Sequence, residues 1–193
     1  MDKVDIDRKT TALVVIDLQK GVASMGRQLA PYSSESVIQN AKSLAEGFRR
    51  NGMLVFLVHV VASQAEMLDV IADEQPWRSG TPPEGWADFV PELGQKESDI
   101  VISKRQWGSF YGTDLELQLR RRGIKTIVLC GISTNYGVES TARFAYEYGF
   151  QQIFAEDAMS SMSAEAHNIA VNMVFKRIGR VRKTREILEG LQS

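Results

Sequence analysis

The side chains in this sequence with the type and placement to do chemistry stand at the ends of apolar runs. Asp17 closes TALVVID at 11–17, and Lys104 directly follows DIVIS at 99–103. A third stretch, LCGISTNYGVESTA at 129–142, begins where Thr126, Ile127, Val128 and Leu129 end in Cys130-Gly131. It continues as a small polar turn and takes up a helical pattern from about Val138. A buried strand that delivers a glycine-containing turn onto a helix leaves backbone N–H groups unpaired, and the helix dipole there favours negative charge. Open α/β proteins place their chemistry at such points. Each feature has a plainer reading beside it. Asp17 also suits a turn or a helix cap, a lone lysine is usually solvated surface, and most strand-to-helix turns share this outline.

GISTNYGVESTARFAYEYGF at 131–150 is similar to the signature segment of the isochorismatase-like hydrolases, a family that includes cysteine amidohydrolases and the true isochorismatases. ALVVIDLQKG at 12–21 and SKRQWGSFYGTDLELQLRRRGI at 103–124 match in the same order, and AEDAMSSMSAEAH at 155–167 also fits, so the likeness covers nearly the whole chain. The resemblance implies that Asp17 is a catalytic acid/base, that Lys104, at the family's lysine position, binds a substrate carboxylate or orients Asp17, and that the peptide between Ile132 and Ser133 is cis. It also implies a homo-oligomer. One departure bears on function. Where the family's amidohydrolases carry their nucleophilic cysteine, this chain has Gly137, which has no side chain to attack a carbonyl. The isochorismatases tend to have glycine there and hydrolyse a vinyl ether without a covalent intermediate. Two further departures concern the substrate: Gly21-Val22 replaces an aromatic residue, and Ser133-Thr134-Asn135 replaces the Tyr-Ala-His of those enzymes.

The 193 residues suit one domain, 1–193, with 44% hydrophobic and 24% charged residues. A formal net charge of −1 supplies no field for nucleic acid or an anionic membrane. The single cysteine, Cys130, excludes an intramolecular disulfide framework. Flanked by apolar neighbours, it reads as a small core hydrophobe. The polar N-terminus is unlike a signal peptide, and no apolar run approaches the ~20 residues that span a bilayer. A cytoplasmic protein is expected.

These residues need elements to hold them. Apolar runs at 11–17, 53–61, 99–103, 125–130 and 150–155 read as buried parallel strands, with Arg180–Arg182 as a short sixth. Helical patterns intervene. One is capped by Ser34 or Ser36 and stopped by Asn51-Gly52. A second has Thr113 and Glu116 as a capping box, and a third follows the signature turn to about Tyr148. Ser163 opens a helix containing His167, read as structural, and another helix covers 184–191. Strands alternating with helices give a single-domain three-layer α/β/α sandwich around a six-stranded, mostly parallel sheet. Residues 64–98 read as an extended loop in which Trp77, Arg78 and Trp86 close a pocket or pack at a subunit contact.

Asp17, Lys104 and the turn from Ser133 to Gly137 then converge at the carboxyl edge of the sheet, with Trp107, Phe110 and Tyr136 as substrate-contacting aromatics. The expected reaction is non-covalent hydrolysis of a small anionic vinyl ether such as isochorismate, with Asp17 as general acid. Lys104 opposes that role, since a cation beside a carboxyl favours its ionised form. A small-amide hydrolase with another nucleophile and a silent binding protein on the same fold are the alternatives. No cofactor is expected, and no metal, because His59 and His167 lie far apart in sequence.

Overall fold

The computed structural model describes residues 4–24, 26, 28–61, 66, 68, 70–73 and 82–192. Six strands form one all-parallel sheet in the order β3-β2-β1-β4-β5-β6. They are β1 Thr11–Ile16, β2 Val55–Val60, β3 Ile100–Lys104, β4 Thr126–Ile132, β5 Gln151–Ser160 and β6 Arg180–Arg182. The helices are α1 Lys20–Ala23, α2 Ser34–Arg50, α3 Leu115–Arg121, α4 Glu139–Glu147, α5 Ala164–Ile169, α6 Lys176–Ile178 and α7 Thr184–Gly190. The resulting single α/β domain is the one the strand–helix alternation predicts.

All six residues of β1 are buried, as an apolar strand covered on both faces requires. Its side chains alternate between two cores. Leu13 and Val15 join α2 and α7 through Val37, Ala41, Leu44, Phe48 and Ile187. Ala12, Val14 and Ile16 join α3, α4 and the segment after α5 through Leu115, Leu119, Ala142, Ala145 and Phe175. From β1 the chain steps outward to β2 and β3 on one side, and β4, β5 and β6 lie on the other. The carboxyl ends of β1 and β4 therefore flank the point where successive connections diverge, the usual ligand crevice of open parallel sheets. Asp17 follows one of these strands and the signature turn follows the other.

Several local details differ from the pattern reading. Ser33, not Ser34 or Ser36, caps α2 by accepting the Ser36 N–H. Thr113 accepts the Leu115 N–H, but Glu116 pairs with Arg120 instead of closing a capping box. β5 continues through Glu156 and Asp157 to Ser160, where the sequence suggested an end; its pairing with β4 shifts register between Leu129 and Gly131 and resumes at Met159. Ser163 does cap α5, accepting from Ala166 N. Trp77 and Arg78 lie outside the described residues. Among the described residues no helix is long and apolar enough to cross a membrane.

Candidate active site

β1 ends in a residue with unusual backbone geometry. Asp17 has φ 52°, the only left-handed non-glycine residue among those described, and its N–H is held by Val58 O at 2.9 Å. Aspartate tolerates this region better than most residues, yet such conformations still cost of order 1 kcal/mol and concentrate at functional sites. The turn takes the carboxyl group out of the strand direction and across to the end of β3. There Lys104 Nζ donates to Asp17 Oδ2 at 2.7 Å and to Trp107 O at 2.6 Å. Lys104 is 1% exposed and Asp17 7% exposed.

A buried ion pair is tolerated only when its remaining hydrogen-bonding capacity is met. Here it is not fully met, since Asp17 Oδ1 is buried with no protein donor. Burial raises the Asp17 carboxyl above its ordinary value. The charge and hydrogen bond of Lys104 and the nearby His59 pull downward, and burial prevails. Burial and Lys104 thus act on this carboxyl in opposite directions, with burial the larger.

The signature turn arrives from β4. The Ile132–Ser133 peptide is cis. Residues Thr134–Val138 form one wide helical turn, with Val138 N donating to Ser133 O at 3.2 Å, and α4 continues from it. A side chain at Gly137 would point straight at the ion pair. A Cβ there would lie 3.0 Å from Asp17 Oδ2, 3.4 Å from Lys104 Nζ and 3.1 Å from Ile16 Cγ2. Asp17, Lys104 and Gly137 thus meet at one point. Ser133 is half-buried at the entry to the turn.

The aromatic assignments divide. Trp107 and Tyr136 are exposed and face each other with ring centroids 4.8 Å apart, directly beside the Lys104 carbonyl contact. Phe110 is a correction: it is 4% exposed and packs on Tyr148 and Phe150 in the core, so it cannot present a surface to a ligand. It is an apolar ring on the inner side of its loop, and sequence proximity to Trp107 did not distinguish the two.

The only thiol is elsewhere. Cys130 is fully buried in the core between the sheet and α2, on the face opposite α4, and burial raises its pKa strongly. His59 is likewise committed. Its Nδ1 lies 2.7 Å from Ala87 O, which can only accept, so that nitrogen carries hydrogen; Nε2 pairs with Ser103 Oγ at 2.9 Å.

Three supporting groups make contacts that sequence reasoning did not give. His167 is more than a packed residue: it joins Thr134 of the signature turn (Nδ1 to Oγ1, 2.9 Å) to Glu156 of β5 (Nε2 to Oε1, 3.2 Å). Burial would raise the Glu156 carboxyl, but hydrogen bonds from His167, Lys183 and Tyr32 prevail and hold it at about 2. Its carboxylate is therefore an acceptor, and His167 Nε2 carries hydrogen. Thr141 forms a second support. Its hydroxyl donates to Gly137 O at 2.7 Å and accepts the Ser109 N–H at 3.1 Å, tying the loop after Lys104 to the turn. The third is Trp86, whose ring occupies the space a side chain at Gly21 would fill, at 1.8 Å from a notional Cβ. The Trp86 ring thus lies directly over the Gly21 backbone. The Ser163–His167 helical pattern and the reading of Trp86 as a pocket-closing or interface residue named two of these groups without their contacts.

Comparison with known proteins agrees with this geometry. The family model "Isochorismatase domain" matches residues 11–186. An uncharacterized isochorismatase family protein of Escherichia coli O157:H7, YecD, is 53% identical over 190 residues, covering 97% of this chain and all of the relative. The ureidoacrylate amidohydrolase RutB of Klebsiella pneumoniae is 31% identical over 170 residues, covering 77% of this chain and 72% of that protein. Among solved structures, an isochorismatase family protein from Burkholderia thailandensis superposes with a TM-score of 0.93 at 38% identity, with complete coverage of both chains. With the acid, the lysine and the signature turn meeting at the carboxyl edge of a parallel sheet, the chain belongs to the isochorismatase family of hydrolases.

Proposed function

We propose that this chain hydrolyses a small anionic vinyl ether, with isochorismate as the reference compound, by direct addition of water and without a covalent enzyme intermediate. The observation that carries this reading is Gly137. Its side-chain direction faces Asp17 and Lys104, yet it offers no nucleophile, and the chain's one thiol is buried across the sheet. By the resemblance drawn from the signature, this is the position from which the family's amidohydrolases attack.

In this scheme Asp17 protonates the terminal enol carbon and generates an oxocarbenium-like centre. Water adds to the adjacent carbon, the one that bears the ether oxygen and the positive charge, and the hemiketal collapses to pyruvate and the ring alcohol. Burial that raises the Asp17 carboxyl favours the proton donor, and general acid catalysis of this kind contributes about 10²–10⁴-fold. Lys104 already donates to Asp17 and to Trp107 O, which supports an orienting role. Trp107 and Tyr136 flank the ring of the substrate, and backbone N–H groups of the turn from Ser133 to Gly137 receive its carboxylate. No cofactor takes part.

A second reading is amide hydrolysis, favoured by the 31% identity to a ureidoacrylate amidohydrolase. There Asp17 acts as a base on water. One pair of assays separates the two. Pyruvate release from isochorismate, with no ammonia from small ureido acids and amides, is the expected result. Ammonia without pyruvate overturns the vinyl-ether reading, and neither product with tight ligand retention leaves a binding protein on the same fold.

A further inference from the structure

We propose that His167 is a positioning residue for substrate binding: held by Glu156 as the Nε2–H tautomer, it anchors Thr134 through Nδ1 and so sets the turn that receives the substrate's carboxylate. The substrate half of this proposal rests on the vinyl-ether reading above. At its entry the turn is bonded loosely to itself. Tyr136 N and Val138 N both donate to one carbonyl, Ser133 O, at 3.2 Å each. The first N–H groups of a helix have no intrahelical acceptor, so side chains must hold this end in place. Ser161, just after β5, donates to Asn135 Oδ1, and Thr141 on α4 donates to Gly137 O. Thr134, the first residue of the turn, is held by His167 on α5 at 2.9 Å.

The direction of that bond follows from the far side of the ring. Tyr32 OH and Lys183 Nζ donate to the Glu156 carboxylate beside His167 Nε2. An ionised carboxylate only accepts, which places hydrogen on Nε2, and Lys183 already supplies the counter-charge. Nδ1 of that neutral tautomer only accepts, so the Thr134 hydroxyl donates to it. Hydroxyl, imidazole and carboxylate thus stand in the order of a nucleophile, a base and its orienter. Thr134 and His167 are both 0% exposed, however, so this hydroxyl cannot reach a substrate. What the order transmits is orientation: the carboxylate fixes the tautomer, the tautomer fixes the hydroxyl, and the hydroxyl fixes the turn.

The chain has two histidines, and their contacts give opposite tautomers: Nε2–H for His167 and Nδ1–H for His59, whose Nδ1 faces Ala87 O. Nitrogen-15 NMR of histidine-labelled protein near neutral pH should show one ring of each kind. A His167 ring with hydrogen on Nδ1 overturns the proposal. Two amide variants then separate the ends of the ring, with circular dichroism as the folding check. His167→Gln keeps a donor near Nε2 for Glu156 and gives up the acceptor for Thr134. His167→Asn keeps an acceptor near Nδ1 for Thr134 and gives up the bond to Glu156. On isochorismate, His167→Gln should raise KM about tenfold with kcat within a few-fold, because carboxylate anchoring serves ground and transition states alike. His167→Asn should hold KM within about twofold of wild type. A purely structural histidine would lower stability in both variants and leave KM unchanged in both. That result, or equal rises in KM, overturns the proposal while pyruvate release by wild type keeps the vinyl-ether reading. The predicted tautomers in a wild type that releases no pyruvate support the brace and sink the reading on which its substrate role rests.

Discussion

The carboxyl group of Asp17 is pulled two ways, and the balance decides what it can do. Burial favours the neutral form, Lys104 the charged one, and the net direction is upward. An acid with a raised pKa keeps its proton at higher pH than a free aspartate, which is what a donor working near neutrality needs. Cys130 is the contrasting case. It is equally buried but lies across the sheet, and its raised pKa makes it a poor nucleophile. Cys130→Ala is therefore expected to cost about 1 kcal/mol of packing and to leave pyruvate release unchanged. Chemical denaturation and steady-state kinetics check both halves, and loss of turnover in a folded variant would return the thiol to consideration.

Elements bring these residues together, and their contacts carry the precision. The loop after β3 and the turn after β4 share one hydroxyl, that of Thr141, which is fully buried and bonded to Gly137 O and Ser109 N. Thr141→Val leaves two buried backbone groups without that partner. The expected loss is about 1–3 kcal/mol of stability, with a fall in kcat larger than any rise in KM, because Gly137 and Lys104 lose their common brace. Urea unfolding with parallel kinetics reads this out; unchanged kcat in a destabilised variant would make Thr141 purely structural. The elements themselves were legible beforehand. Five apolar runs and the short Arg180–Arg182 segment, separated by 3.6-residue patterns, give the six strands along the chain, and the strand-terminal positions of Asp17 and Lys104 mark the sheet edge. Residue contacts across elements were not legible. Phe110 and Trp107 are neighbours in sequence, but one turns inward and one outward. The link from Thr134 through His167 to Glu156 spans residues that no local period connects. Trp86 filling the space beside Gly21 depends on a chain crossing that spacing cannot reveal.

The whole molecule adds two expectations. Glu156 gathers His167, Lys183 and Tyr32 and is held at about 2, below its ordinary 4.5. A depressed carboxylate contributes stability that is present above the unfolded value and is lost as pH falls through the folded one. With half of Lys183 open to solvent, the contribution is about 2 kcal/mol. Wild type should exceed Glu156→Gln by that amount near neutrality and approach it between pH 4.5 and 2 in urea titrations; parallel curves would contradict the assignment. Phe144 on α4, Ile169 at the end of α5 and Met173 just after it are exposed, as are Trp107 and Tyr136 beside the site. We expect a homo-oligomer in solution, and a monomer by light scattering at micromolar concentration would refute it. Proton donation by Asp17 is tested most directly by the rate of pyruvate release from isochorismate by wild type and by Asp17→Asn, both confirmed folded. The variant preserves the shape of the side chain and removes the transferable proton, so the rate should fall at least about 100-fold. A variant that releases pyruvate at the wild-type rate would show that Asp17 is not the acid.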